Sequence, residues 1–164
     1  SSMDYKKHNK YILIASSLYS LFVVILYTIL AFIIFGSLTF SERGLLYILN
    51  TFIFSFVALC MALFISTLVK SKEAVSGIVN VVALSQAFLC GAFIPTMWLP
   101  ESVIKIAHLL PAYWYINTND FLAELEVLSF TNLKPIWINM LILIGFAVIF
   151  IILNNIASRK KMVS

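Results

Sequence analysis

The sequence predicts an all-α membrane protein with four transmembrane helices, short outer interfacial or re-entrant helices, and both termini in the cytoplasm. Of its 164 residues, 62% are hydrophobic and only 11% are charged. Soluble domains carry roughly 45–50% apolar and about 25% charged residues, and a small folded domain cannot hide so much apolar surface from water. The composition therefore excludes a water-soluble monomer and predicts a single transmembrane domain over residues 1–164.

Four long apolar stretches predict the spans. They cover residues 11–35, 45–69, 74–98 and 135–156. A transmembrane helix needs about 20 mostly apolar residues to cross a hydrocarbon core roughly 30 Å thick, and each stretch is long enough. The tight polar turn Lys70, Ser71, Lys72 and Glu73 joins the second and third stretches, so we expect these two helices to be antiparallel neighbours.

The basic residues are distributed unevenly between the two sides of the predicted bundle. With the N-terminus in the cytoplasm, eight of the 11 Lys and Arg residues lie on the cytoplasmic side, which is the bias that the positive-inside rule describes. They lie in short groups and form no single basic face, so we expect no nucleic-acid partner. The abundance of Lys, Asn, Ile and Phe is typical of an A+T-rich bacterial genome, and we expect a multi-pass protein of the bacterial cytoplasmic membrane.

Polar residues inside the spans are uncharged. No Asp, Glu, Lys, Arg or His lies in the interior of a predicted span. Intramembrane charge marks proton relays and ion paths, so its absence argues against an ion-coupled transporter. The uncharged polar residues within the spans favour hydrogen bonds between helices. An alternative hypothesis places two of them, Asn80 and Gln86, on a substrate path.

Small residues recur at four-residue spacing in the two central spans. They are Ala58, Ala62 and Ser66 in one span, and Ala83, Ala87 and Gly91 in the other. Small residues let helix backbones approach closely in a membrane. The two stripes predict helix packing within the chain or, equally, an interface between subunits.

The segment 99–134 between the last two spans predicts two short amphipathic helices. Pro100 suits the first turn of a helix. We expect this helix to have about 10 residues, too few to span the membrane, and to end at Pro111. Glu101, Lys105 and His108 would share its polar face. A second short helix is expected over Asp120–Leu128.

Two short motifs flank the first of these outer helices. They read Gly91-Ala92-Phe93-Ile94-Pro95-Thr96-Met97-Trp98-Leu99-Pro100 and Pro111-Ala112-Tyr113-Trp114. Together they resemble the signature of type-2 ABC exporter permeases, in which a glycine and a proline close the fifth span and a proline-aromatic motif precedes the last. The resemblance implies an outer gate that contains six motif residues: Gly91, Pro95, Pro100, Pro111, Tyr113 and Trp114.

The resemblance also implies partners and a mechanism. The chain would be the permease subunit of an ATP-driven exporter, paired in the lipid bilayer with a second permease copy (as a homo- or heterodimer) and with an ABC ATPase. The sequence lacks a phosphate-binding loop of the form GxxxxGK[ST], so we expect no enzyme activity and no cofactor in this chain. ATP and Mg²⁺ would bind in the ATPase, which would contact the turn Lys70–Glu73.

Family members usually carry six spans, and the four spans here would match the last four. The chain begins Ser1-Ser2-Met3, so we expect either a fragment of a six-span permease or a shortened protein that starts at Met3.

Two other classes compete with the exporter. A non-transporting four-span accessory, scaffold or immunity-type protein would have the same uncharged spans. An intramembrane enzyme is disfavoured because His8 and His108 lie outside the spans. The Phe- and Ile-rich spans weakly favour an amphipathic or lipid-like cargo.

Overall fold

The computed structural model describes the backbone of residues 2–163 and the side chains of residues 7–160. Six α-helices and two short 3-10 helices make up the regular structure of this range, which confirms the all-α prediction. The α-helices are α1 (Ser2–Phe35), α2 (Glu42–Leu68), α3 (Lys72–Leu89), α4 (Glu101–Ala107), α5 (Pro111–Glu124) and α6 (Lys134–Val163). The 3-10 helices are Gly36–Phe40 and Thr96–Trp98.

Three segments of the described chain are long and apolar enough to cross a membrane. They are Lys7–Phe40, Glu42–Leu68 and Lys134–Lys160, and they correspond to the first, second and fourth predicted spans. They support a multi-pass membrane protein with three candidate spans, and the third predicted span, over 74–98, stays a prediction.

Helix α3 differs most from the prediction of a span over 74–98. It has 18 residues and ends at Leu89, so it is about 27 Å long at 1.5 Å per residue. Gly91 follows the helix with a φ of +104°, and the N–H groups of Ala92 and Phe93 both donate to the carbonyl of Ala87, at 3.1 and 3.2 Å. A left-handed glycine with such backward hydrogen bonds is a common helix end, and it stops α3 inside the apolar run.

Helices α1, α2 and α6 form the bundle. Val57 and Cys60 of α2 pack with Leu143 and Ala147 of α6 in a buried cluster. The face of α1 that points away from α2 and α6 is exposed and apolar over most of its length, as expected of a surface that lipid covers.

Polar side chains also connect α1 to the other two helices. The hydroxyl groups of Ser20 on α1 and Ser55 on α2 are hydrogen-bonded. Asn9 Nδ2 donates to Asn155 Oδ1 of α6 at 2.8 Å, so the beginning of α1 and the end of α6 lie at the same end of the bundle. We call this the terminal end, and the opposite end, where α2 and α6 begin, the loop end. A cytoplasmic position of the terminal end stays a prediction.

The segment between α3 and α6 contains two helices, as predicted, with different bounds. Helix α4 has the expected amphipathic character, because Glu101 and Lys105 form an exposed ion pair at 2.8 Å while Ala107 is buried. The prediction of a second helix over Asp120–Leu128 is wrong. Helix α5 begins at Pro111 and ends at Glu124, since the fixed φ of proline and its missing N–H suit the first helical position.

Candidate functional site

Helix α5 packs against α2 and α6 in the part of the bundle nearest the loop end. Trp114, in its first turn, packs against the buried cluster that contains Leu143, a residue about 14 Å along α6 from its first residue. Leu122, near the other end of α5, packs with Ile136 at the beginning of α6. Helix α5 therefore runs from about a third of the way along α6 to the loop end, antiparallel to α6.

Residues 101–124 comprise α4, α5 and the turn between them, and we call this segment the re-entrant hairpin after the position that the sequence predicts for it. Its tip is an aromatic group in which the His108 and Tyr113 rings lie 4.3 Å apart. The indole Nε1 of Trp114 donates to the carbonyl of His108 at 3.0 Å and closes the turn. Tyr113, Trp114 and Tyr115 are half-buried near the beginning of α5, and the Tyr115 ring stacks on the Phe54 ring with centroids 4.4 Å apart.

A glutamine from α3 caps the amino end of α5. The backbone N–H of Ala112 donates to Gln86 Oε1 at 3.2 Å, and Gln86 is only 5% exposed. The first N–H groups of a helix have no partner within the helix, so a buried helix start needs an acceptor from elsewhere. This contact is the interhelical hydrogen bond that the sequence favours for Gln86, whereas Asn80 is exposed on α3.

An arginine from α2 caps the carboxyl end of α5. The guanidinium of Arg43 donates to the carbonyl of Leu122 at 2.7 Å and also to the carbonyl of Leu125. The last carbonyls of a helix carry partial negative charge, and the planar fork of an arginine can bind several of them at once. Arg43 therefore fixes the point where the hairpin leaves the bundle.

Two asparagines hold the middle of α5. Asn50 of α2 is fully buried, and its Nδ2 donates to the carbonyl of Tyr115 at 3.0 Å and to Asn119 Oδ1 at 2.9 Å. Asn139 of α6 donates to Asn117 Oδ1 at 2.9 Å. Helix α5 is thus tied by polar side chains to α2, α3 and α6.

The structure brings four of the six motif residues to the point where α3 ends and α5 begins. A Cβ placed on Gly91 would lie 3.7 Å from Ile116 of α5, and Pro111, Tyr113 and Trp114 form the start of that helix. The other two, Pro95 and Pro100, are exposed on the connection between α3 and α4. Arg43 and Asn119 were missed in the sequence, because nothing local marks a hydrogen bond between residues so far apart in the chain.

The predicted ATPase-contact turn is exposed at the terminal end. Lys70, Ser71, Lys72 and Glu73 are all exposed, and Ser71 caps α3 by accepting the N–H of Ala74 at 3.1 Å. The surface of this turn is therefore available to another subunit.

The predicted small-residue stripes are covered only in part. Ala58 and Ala62 are half-buried and Ser66 is exposed on α2, while Ala83 is exposed and Ala87 and Gly91 are half-buried on α3. Of the covered members, Gly91 lies close to Ile116 of α5, and the first half of α3 is largely exposed. Packing within the chain and a subunit interface both stay predictions for these residues.

The described side chains provide no metal site, since residues 7–160 contain no group of three or more His, Cys, Asp or Glu. A mostly apolar cavity of about 900 Å³ lies beside the hairpin at the loop end, with Phe35, Leu38 and Ile48 in its wall and Arg43 at its edge. Cavities of this size and lining hold small apolar or amphipathic molecules.

Comparison with known proteins gave one match. The family model described as ABC-2 family transporter protein matches residues 7–155. Searches of curated proteins and of solved structures found nothing that matches the chain.

Proposed function

Because the chain belongs to the ABC-2 family of transporter proteins and is therefore a membrane component of an ABC-type transporter, we propose that it is the permease subunit of an ATP-driven exporter. A separate ABC ATPase binds ATP and Mg²⁺ and hydrolyses the nucleotide. Two permease copies line the translocation path in the lipid bilayer, and the re-entrant hairpin of each is its outer gate.

The polar contacts of α5 support its proposed role in the gate. Three polar contacts, made by Arg43, Asn50 and Gln86, tie its end, middle and beginning to neighbouring helices. Hydrogen bonds such as those of Asn50 and Gln86 contribute on average about 0.6 kcal/mol each between membrane helices, and the charged contacts of Arg43 about 2 kcal/mol. Contacts of this strength hold a helix in one position and still allow it to exchange partners when its neighbours move.

Helix α3 offers a route from the exposed turn to the hairpin. The turn Lys70–Glu73 leads directly into α3, whose other end carries Gln86 and its hydrogen bond to Ala112. The first half of α3 is largely exposed, so few side chains hold it in place. A push on the turn would move α3 as a rigid rod and shift the beginning of α5.

Co-purification tests the ATPase partner. We expect the full-length protein, extracted from its native membrane in mild detergent, to carry a stoichiometric subunit with a phosphate-binding loop, identified by mass spectrometry. A permease that is stable alone, or bound to an unrelated protein, would contradict the exporter.

Charge reversal tests the contact turn. We expect the double variant Lys70→Glu, Lys72→Glu to retain less ATPase subunit and to lose ATP-driven transport, because both cations are exposed where the partner would bind. The charge-conserving variant Lys70→Arg, Lys72→Arg is the matched control and keeps both. Membrane insertion is checked in each variant, and unchanged ATPase retention in the reversed pair would remove the turn from the proposed interface.

A further inference from the structure

A groove opens at the terminal end between the beginning of α1 and the end of α6. Its volume is about 570 Å³, and Lys10 and Arg159 both line it. The hydrogen bond from Asn9 to Asn155 joins the two helices beside these cations. The groove is therefore built by residues from opposite ends of the chain, and its two positive charges come from different helices.

The two cations of the groove have no acidic partner among the described side chains. Neither Lys10 nor Arg159 makes an ion pair with a side chain in the range 7–160, and no acidic residue is among those that line the groove. Two positive charges on a shared concave surface attract an anion, and an arginine fork suits the oxygens of a phosphate group.

The floor of the groove is apolar. Leu13, Ile14 and Leu18 line it, and they belong to a segment of α1 that is long and apolar enough to cross a membrane. Leu18 lies about 12 Å along the helix from Lys10. The groove thus changes from cationic to apolar along the direction in which a phospholipid changes from headgroup to acyl chain.

We infer that this groove binds an anionic phospholipid, with its phosphate between Lys10 and Arg159 and an acyl chain along Leu13 and Leu18. Basic pockets between transmembrane helices are known to hold anionic headgroups, and the apolar floor favours a lipid over a soluble anion. The lipid would join α1 to α6 beside the hydrogen bond from Asn9 to Asn155. This inference concerns the bundle itself and holds whatever the cargo is.

Native mass spectrometry of the full-length permease tests the site. The protein, depleted of lipid in neutral detergent, is titrated with phosphatidylglycerol and, separately, with phosphatidylcholine. We expect a saturable adduct with phosphatidylglycerol alone. The variant Lys10→Gln, Arg159→Gln should weaken it by roughly five-fold for each cation removed, the effect of one basic residue at an anionic membrane surface.

Two control variants distinguish specific binding in the groove from nonspecific electrostatic attraction of the lipid. Lys70→Gln with Lys72→Gln removes the same charge from the same end of the bundle and should leave the adduct unchanged. Lys10→Arg with Arg159→Lys keeps both cations and should retain it. Equal weakening in the first control, or equal binding of phosphatidylcholine by the wild type, would overturn the inference.

Two further measurements distinguish other occupants. Millimolar inorganic phosphate should not displace the lipid, and displacement would assign the groove to a soluble anion. The Lys10→Gln, Arg159→Gln variant should retain its ATPase subunit. Loss of that subunit with an unchanged lipid adduct would assign the groove to a protein partner.

Discussion

Replacing Arg43 with methionine tests whether the re-entrant hairpin is fixed at its carboxyl end. The guanidinium donates to the carbonyls of Leu122, at 2.7 Å, and Leu125. A hydrogen bond to a charged group contributes about 1.5–3 kcal/mol, and a cation at a helix carboxyl end up to about 2 kcal/mol when partly buried. Because Arg43 is only half-buried and water can replace it at the freed carbonyls, we expect a net loss of about 2 kcal/mol.

Hydrogen–deuterium exchange measures this loss locally. Opening of the last turn of α5 controls exchange of its amides, including that of Leu125, which donates to Phe121 at 3.1 Å. A loss of about 2 kcal/mol raises the opening constant, and with it the exchange rate, by roughly 30-fold. Amides in the middle of α6 should exchange as in the wild type.

Two further variants serve as controls for the exchange measurement. Arg43→Lys keeps the charge and loses the fork, so its exchange rate should lie between those of the wild type and the methionine variant. Lys105→Met removes an exposed cation of the same hairpin and should leave the last turn of α5 unchanged. An increase in Arg43→Met below about three-fold would show that other contacts hold this end of the hairpin.

Two further substitutions test the middle of the hairpin and the end of α3. Asn50→Leu removes two hydrogen bonds from a fully buried amide, and we expect it to lower the free energy of unfolding in detergent by about 1–2 kcal/mol. Asn80→Leu, at an exposed site on α3, is the control, and an equal loss there would refute a specific role for Asn50. Gly91→Ala should lower the thermal midpoint, because Gly91 has a φ of +104° and a Cβ would lie 2.7 Å from Thr96 Cγ2. At Gly145, where a Cβ meets nothing within 4 Å, alanine should be neutral or stabilising, and a Gly91→Ala variant as stable as Gly145→Ala would contradict the strained turn.

The spans of α1, α2 and α6 could be predicted because apolar length alone determines them. Each is a long, mostly apolar run without a charged residue, and the structure has a long helix over each. The predicted helix over 74–98 is longer than α3 because hydropathy carries no information about backbone conformation. Phe93 and Ile94 are as apolar as any residue in a span, yet they follow Gly91, whose left-handed conformation ends the helix before them. Gly91 is identified in the sequence as a motif residue. That it ends α3 is evident only from the hydrogen bonds to the carbonyl of Ala87.

The position of α5 could not be predicted from its own composition. Its aromatic and amide side chains are typical of a helix at the membrane surface, where water satisfies polar groups. In the structure those groups are satisfied by Arg43, Asn50 and Gln86 instead. These partners lie far from α5 in sequence, and no periodicity within the segment 99–134 contains that information.

The dependence of α5 on these partners has a consequence for how the domain forms. A helix with so many amide and aromatic side chains is stable inside an apolar bundle only when its polar groups are paired. Its partners lie on α2 and α3, which precede it, and on Asn139 of α6, which follows it. The polar contacts of the hairpin are therefore complete only when α6 is in place. Elements of low local stability are the ones that open first, and the dependence of α5 on separate polar contacts is what the proposed gate requires.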